Sequence, residues 1–214
     1  MRPIVAGSLL IFGVVSTGLV ITWFAFDYGH AWAGVVAELV IACVIYYELE
    51  EERASRFLSE VLGKPYEDRE EIYHEYITAG GHNLEERAEN FRNKLWHNGK
   101  LRQKCDLQLA HFGRLHYMLR WSILHRNLLV QWFPHVPIRL WVMLSAYLKE
   151  VAPYRGEENE FMQIVLQSLA FVEKKGLKPI RIFPREGHEA VEVSVDDLRR
   201  LKTDVANLLQ TTRL

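Results

Sequence analysis

The sequence predicts a mainly α-helical protein built from a two-helix transmembrane hairpin, a long stalk helix, a cytoplasmic helical bundle, and a small C-terminal β-hairpin with one helix. Three observations support this prediction. Two apolar runs lie close together at the start of the chain. Apolar residues then recur at helical spacing over most of the remaining length. Near the end, the apolar period changes to two, which is typical of strands.

The two apolar runs are each about as long as a transmembrane helix. Pro3 to Phe26 contains no charged residue, and Ala31 to Tyr47 contains only Glu38. A helix needs roughly 20 apolar residues to cross about 30 Å of hydrocarbon, with a lower limit of about 17. The runs therefore predict a hairpin that turns at Asp27–His30. The alternative, a cleaved signal peptide, is disfavoured because the first run is too long and the second follows directly.

Basic residues beside the runs predict the orientation of the hairpin. Arg2 precedes the first run, Arg53 and Arg56 follow the second, and the turn between the runs has neither Lys nor Arg. Lys and Arg are enriched on the cytoplasmic side of membranes. Both termini and the domain after residue 62 are therefore expected in the cytoplasm.

The second span is expected to continue as a stalk. No helix breaker occurs between Ala31 and Leu62, and Gly63-Lys64-Pro65 then provides stop signals. Such a helix would be about 48 Å long, which exceeds the bilayer core. Residues 48–71 contain nine acidic and four basic side chains, and no concentrated basic stripe occurs elsewhere. This pattern argues against a polybasic lipid-binding collar and against nucleic acid as a partner.

The predicted domains are the hairpin with its stalk in residues 1–62, the cytoplasmic bundle in 63–176, and the β-hairpin with its helix in 177–214. The bundle helices are expected near 69–79, 83–97, 101–124, 127–133, 137–151 and 157–175. Asn83 and Glu86 predict a capping box, and Ser194 predicts a second helix N-cap. The strands are predicted from the alternating residues Ile180, Ile182, Val191, Val193 and Val195.

The charged residue of the second run, Glu38, is the main candidate for an intramembrane polar site. It lies about 10 Å into the span. A carboxylate there costs on the order of 2–3 kcal/mol, so it is expected to be protonated or to accept a hydrogen bond. Thr17 and Thr22 of the first run are the candidate donors at similar depth. A hydrogen bond within the hairpin is favoured over a proton or ion path and over contact with a partner's helix.

Small residues at four-residue spacing predict close helix packing. Gly13 with Thr17, and Ala33 with Ala37, have this spacing. Small side chains let two transmembrane helices approach closely. The same faces are equally suited to the helices of another membrane protein.

The sequence contains no motif of a cofactor, metal or catalytic site. Its nine histidines lack zincin and zinc-finger spacing, and it has no P-loop, dinucleotide fingerprint or nucleophile elbow. Cys43 and Cys105 fall in different regions, so no disulfide is expected. The aromatic stretch from Trp121 to Trp141 is expected in the bundle core rather than on a partner-binding surface. We therefore expect no cofactor, no metal and no enzyme activity.

Two segments carry a resemblance to known proteins. One is Ala37-Glu38-Leu39 leading into Tyr46-Tyr47-Glu48-Leu49-Glu50, and the other runs from Phe133-Pro134 through Trp141-x-x-Leu144 to Arg155. Over residues 31–60 and 105–175 the chain resembles uncharacterised bacterial membrane proteins with two N-terminal transmembrane helices and a cytoplasmic helical domain of unknown function. The resemblance implies a bacterial inner-membrane location and no catalytic residue.

These observations favour a membrane-anchored, non-enzymatic accessory subunit or adaptor of a larger membrane complex. Its expected partners are the lipid bilayer and either other membrane-protein subunits or further copies of itself. The first alternative is an oligomeric pore or effector that uses Glu38, which requires several copies because each chain supplies two spans. The second and less favoured alternative is an enzyme that acts at the membrane surface.

Overall fold

A computed structural model describes residues 31–120, 128–155, 159–182 and 190–212. In these residues it contains eight helices and one two-stranded sheet. The predicted mainly helical fold with a small C-terminal strand pair is therefore confirmed. The first apolar run, Pro3 to Phe26, and the turns predicted at Asp27–His30 and Pro184–Gly187 lie outside the described residues.

The helices and strands follow the sequence pattern closely. In chain order they are α1 (Ala31–Leu62), α2 (Lys64–Thr78), α3 (Leu84–His97), α4 (Gly99–Arg120), α5 (Leu128–Trp132), α6 (His135–Arg155), α7 (Asn159–Lys174), β1 (Ile180–Ile182), β2 (Val191–Val193) and α8 (Val195–Thr211). α2 begins earlier than expected because Pro65 lies in its first turn, where the missing proline N–H has no helical partner. α6 continues through Pro153, since its last turn loses only one hydrogen bond there.

The chain divides into two compact units, residues 1–56 and 57–214. In the first unit the structure describes the α1 segment from residue 31 to 56, with the helical conformation predicted for the second apolar run. Glu50 is buried there and accepts a hydrogen bond from Arg53 at 2.8 Å. Among the residues that the structure describes, no helix has both the length and the apolarity to span a membrane. The two transmembrane spans stay predictions.

The second unit is a helical bundle with an aromatic core. α3 packs along α6, α2 packs against α3 and α4, and α7 packs against α4, α6 and α8. Phe112 and Phe161 join α4 to α7, with ring centroids 6.2 Å apart. Phe57, near the end of α1, is fully buried and lies 6.3 Å from the Phe133 ring. Of the aromatic stretch, Trp141 lies in the core, whereas Trp132 is 40% exposed.

The two C-terminal strands form an antiparallel pair. Their facing residues are Ile180 with Val193, Arg181 with Glu192, and Ile182 with Val191. The apolar residues Ile180, Ile182 and Val193 are buried. On the other face, Arg181 and Glu192 form an exposed ion pair at 3.1 Å. The sheet therefore has one core face and one solvent face, as the period-two pattern indicates.

Two predicted helix caps are present. The Asn83 side chain accepts the Glu86 N–H at 2.8 Å, while the Glu86 carboxylate accepts the N–H one residue before the cap. Ser194 and Asp197 form a complete capping box. Val195, which alternates with the strand residues, begins α8 because this box starts the helix at Ser194.

A tight loop joins α2 to α3. Gly81 has a φ of +141°, and a Cβ at this position would lie 2.7 Å from the Arg87 backbone nitrogen. The Arg87 guanidinium donates hydrogen bonds to the Ile77 carbonyl at 2.8 Å and to the Gly81 carbonyl at 3.1 Å. The loop conformation therefore depends on Gly81, which has no side chain to clash with the Arg87 backbone, and on the hydrogen bonds of Arg87 to the loop carbonyls.

We expect Gly81→Ala to destabilise the protein by about 1–3 kcal/mol, because alanine would have to adopt this φ against a neighbouring backbone. Gly99→Ala is the matched control, since a Cβ at this helical position meets no atom within 4 Å. Gly99→Ala should leave the free energy of unfolding unchanged or raise it by up to about 1 kcal/mol. Denaturant titration followed by circular dichroism measures both. Equal stabilities of the two variants would contradict the loop geometry.

Candidate functional site

The intramembrane site predicted from sequence lies only partly within the described residues. Glu38 is an exposed residue of α1. Gly13, Thr17 and Thr22 lie outside the described ranges, so their pairing with Glu38 stays a prediction. The backbone of α1 includes Ala33 and Ala37, but their side chains also lie outside the description.

Polar residues of α4 form a continuous layer against α2 and the end of α1. We call this the α2–α4 polar layer, and its α4 members, which share one helix face, are Lys104, Gln108, His111 and Arg114. At one end, Lys104 lies 3.2 Å from Asp68 and 2.5 Å from Glu71. At the other end, Arg114 lies 3.4 Å from Glu60. The carboxylates therefore sit at the two ends of the layer.

Arg69 occupies the centre of this layer and is only 3% exposed. Its guanidinium donates to Gln108 Oε1 at 3.5 Å, and Gln108 Nε2 donates to the Pro65 carbonyl at 3.0 Å. The same guanidinium lies 5.7 Å from the Tyr66 ring centroid and 5.9 Å from that of Phe112. Burial lowers the pKa of Arg69. These contacts stabilise a charge that would otherwise be costly inside the bundle.

A second guanidinium extends the layer towards α6. Arg139 hydrogen-bonds the Tyr73 hydroxyl. Burial raises the pKa of Tyr73, while the nearby charges of Arg139 and Arg69 oppose the rise. A phenol with a raised pKa keeps its proton at neutral pH, so Tyr73 acts as a hydrogen-bonding group rather than as a base. The arrangement joins α2, α4 and α6.

His111 differs from the other α4 members of the layer. It is 6% exposed, and its Nε2 atom is buried without a hydrogen-bond partner among the described residues. Burial, followed by the charges of Arg69 and Arg114, lowers its pKa from 6.5 to about 4. The imidazole is therefore neutral at pH 7 and faces a cationic environment.

An open groove of about 450 Å³ runs between α3 and α6. Its lining residues are Glu89, Arg92, Asn93, Trp96, Ala146, Lys149 and Glu150. Trp96 is 42% exposed, and its indole N–H donates to Glu150 at 3.3 Å. Arg102 lies over the Trp96 ring, 5.2 Å from the centroid. Arg92 lies 2.7 Å from Glu89 and 3.8 Å from Glu150, so its charge is paired within the groove, whereas Lys149 lies 3.8 Å from Asp204 of α8.

The sequence prediction missed both the groove and the polar layer. The available signal for the groove was Trp96 on the polar side of α3, in line with Glu89, Arg92 and Asn93 at helical spacing. The signal for the layer was weaker, because Arg69 and His111 are ordinary surface residue types. Within the described ranges, no group of three His, Cys, Asp or Glu residues could hold a metal ion.

Comparison of the chain with protein-family models, with curated proteins and with solved structures gives no match.

We expect Gln108→Ala to lower the free energy of unfolding by about 1–3 kcal/mol, because it removes an acceptor from buried Arg69 and a donor from the Pro65 carbonyl. Gln103→Ala, at an exposed position of the same helix, is the control and should change stability by less than about 0.5 kcal/mol. Denaturant titration of the two variants under the same conditions gives the comparison. A Gln108→Ala protein as stable as the control would show that the polar layer does not depend on this residue.

Proposed function

We propose that the protein is a membrane-anchored, non-enzymatic accessory subunit or adaptor, whose helical domain faces the cytoplasm and contacts partner proteins. The observation that carries this proposal is the apolar, exposed surface of α1 between residues 39 and 49. It follows the apolar run Pro3 to Phe26 after a short polar turn. Partners are the lipid bilayer and other membrane subunits or further copies of the chain.

The exposed apolar side chains of α1 point in several directions around the helix. They are Leu39 at 59%, Ile41 at 56%, Val44 at 38%, Ile45 at 52% and Leu49 at 49% exposure. A helix that is apolar on all sides is normally covered by protein or by lipid. Leaving it in water costs about 25 cal/mol for each Å² of apolar surface. A lipid environment removes this cost and supports membrane attachment of this part of the chain.

The surface of α1 becomes charged at the end of this apolar segment. Glu48, Glu51 and Glu52 are exposed, and Arg56 lies 2.8 Å from Glu52. Such a change along one helix is expected where it leaves hydrocarbon and enters water. Together with Arg2, the basic residues Arg53 and Arg56 support a cytoplasmic position of the domain.

A pore or effector role is the second candidate function, and Glu38 is the observation that favours it. Its carboxylate is exposed on the apolar part of α1. In an assembly of several copies such a residue would line a polar path. Glu38→Gln removes the charge with little change of shape. Unchanged ion conductance in reconstituted vesicles would remove the support for this candidate.

We expect Leu39→Lys to disfavour insertion of the second span by about 2.5–3.5 kcal/mol, because it places a charge near the centre of the apolar run. Chains that fail to insert this span would expose the domain after residue 62 outside the cell, where protease added to spheroplasts degrades it. Ser55→Lys, at an exposed position beyond the apolar segment, is the control and should leave the domain protected. Degradation of the wild-type domain would contradict the proposed orientation.

We expect the adaptor to co-purify with other subunits when it is extracted in a mild detergent. Native mass spectrometry of the extracted protein measures the mass of the assembly directly. A mass that contains further polypeptides supports the accessory-subunit role, and a homo-oligomer supports self-association. A free monomer under all mild conditions would contradict both.

A further inference from the structure

The position of His111 has a consequence for the contact between α2 and α4. His111 lies between Gln108, which bonds Arg69 and Pro65, and Arg114, which pairs with Glu60. All other α4 members of the α2–α4 polar layer have a polar partner on α2 or α1. The His111 Nε2 atom is buried without one among the described residues. A proton on this atom would therefore have no acceptor while the layer is closed.

We infer that the α2–α4 contact is acid-sensitive, and that protonation of His111 separates α2 from α4. The inference is independent of membrane attachment, since it concerns contacts within residues 57–214. An imidazolium at this site would add a positive charge to those of Arg69 and Arg114, both of which disfavour the protonated ring. Arg114 is exposed and pairs with Glu60, whereas the repelling charge of Arg69 is buried. Burial makes this repulsion stronger than it would be at the surface. Separation of the helices admits water and relieves it.

Within the described ranges, the charged groups around α4 that have a named partner are paired with groups other than His111. On α2, the facing charge is Arg69, while Asp68 and Glu71 pair with Lys104 near the other end of the layer. On α7, Glu160 lies 3.5 Å from the position that a Gly113 Cβ would take. Gly113 is two residues from His111, which places it about 200° around the helix.

The other described helices that contact α4 bring few charges to this part of it. The α6 side contributes the Tyr147 hydroxyl, which donates to Asp106 more than one turn before His111, and Arg139, which bonds Tyr73. Trp96 of α3 contacts α4 at Arg102, which lies over its ring. Arg102 precedes His111 by more than two helical turns. α5 has no charged residue in its span Leu128–Trp132. The end of α1 contributes Glu60, which pairs with Arg114. Among the described residues, Arg69 is thus the charge on another helix that most disfavours a protonated His111.

The direction of the pH effect follows from proton linkage. When α2 is separated, His111 has its ordinary pKa of 6.5, whereas the closed layer lowers the pKa to about 4. The closed layer therefore loses stability as the pH falls below 6.5, and the loss is complete below about 4. At pH 5 the separated state should be about 30-fold more populated, relative to the closed state, than at pH 7.5.

Hydrogen exchange of the full chain in detergent, followed by mass spectrometry at pH 7.5 and pH 5, tests this inference. After correction for intrinsic exchange rates, protection of the α2 amides should fall by about 30-fold at pH 5. His111→Gln cannot titrate and should reduce this change to below about 3-fold. His82→Gln, at an exposed position in the α2–α3 loop, should retain the full change. An equal loss of protection in His111→Gln and His82→Gln would overturn the inference.

Local protection of α2 is the appropriate measurement because a second histidine also responds to acid. Burial and Arg139 lower the pKa of His135 at the start of α6, so global stability falls with pH for more than one reason. If His111→Gln does not fold, an NMR titration of the wild-type chain replaces it. The His111 ring, assigned through its contact with Phe112, should stay neutral down to about pH 5. Titration of this ring near 6.5 would also overturn the inference.

Discussion

The burial of a single guanidinium constrains how three helices of the bundle meet. Arg69 is enclosed by α2 and α4, and a charge in such a place costs several kcal/mol unless hydrogen bonds and aromatic faces receive it. Gln108 provides the hydrogen bond and also fixes the first turn of α2 through the Pro65 carbonyl. One turn further along α2, Tyr73 bonds Arg139 of α6. If α2 moved along α4, Arg69 would lose its hydrogen bond to Gln108 while its charge remained buried.

The distribution of polar groups differs between the two parts of the described chain. In residues 57–214 the centre of the polar layer is buried at Arg69, Gln108 and His111, and its ends are ion pairs nearer the surface. In α1 between residues 39 and 49, large apolar side chains lie outside. Each part is stable only in a suitable environment, because buried charges need partners and exposed apolar surface needs cover. This contrast is the physical reason for proposing water around the bundle and lipid around the start of α1.

The sequence pattern predicted the helices, the strand pair and the caps because these features depend on neighbouring residues. The stop signals after Leu62 placed the end of α1, the Asn83 cap placed the start of α3, and Ser194 marked the start of α8. The polar layer could not be predicted this way, since Arg69 and His111 are 42 residues apart in the chain and meet only through packing. The groove could not be predicted for the same reason, because its lining residues come from α3 and α6, which are distant in the sequence. Glu38 is a local feature, but its expected donors lie outside the described residues.

The end of α1 has a practical consequence for work on the isolated bundle. The sequence places the beginning of the bundle at residue 63, yet Phe57 is fully buried beside Phe133, and Glu60 pairs with Arg114. A truncated protein that begins at residue 63 would have a cavity in place of the Phe57 ring, at a cost of about 3–5 kcal/mol. One that begins a turn before Phe57 would retain both contacts. The last turns of the helix expected to form a stalk therefore belong to the folding unit of the bundle.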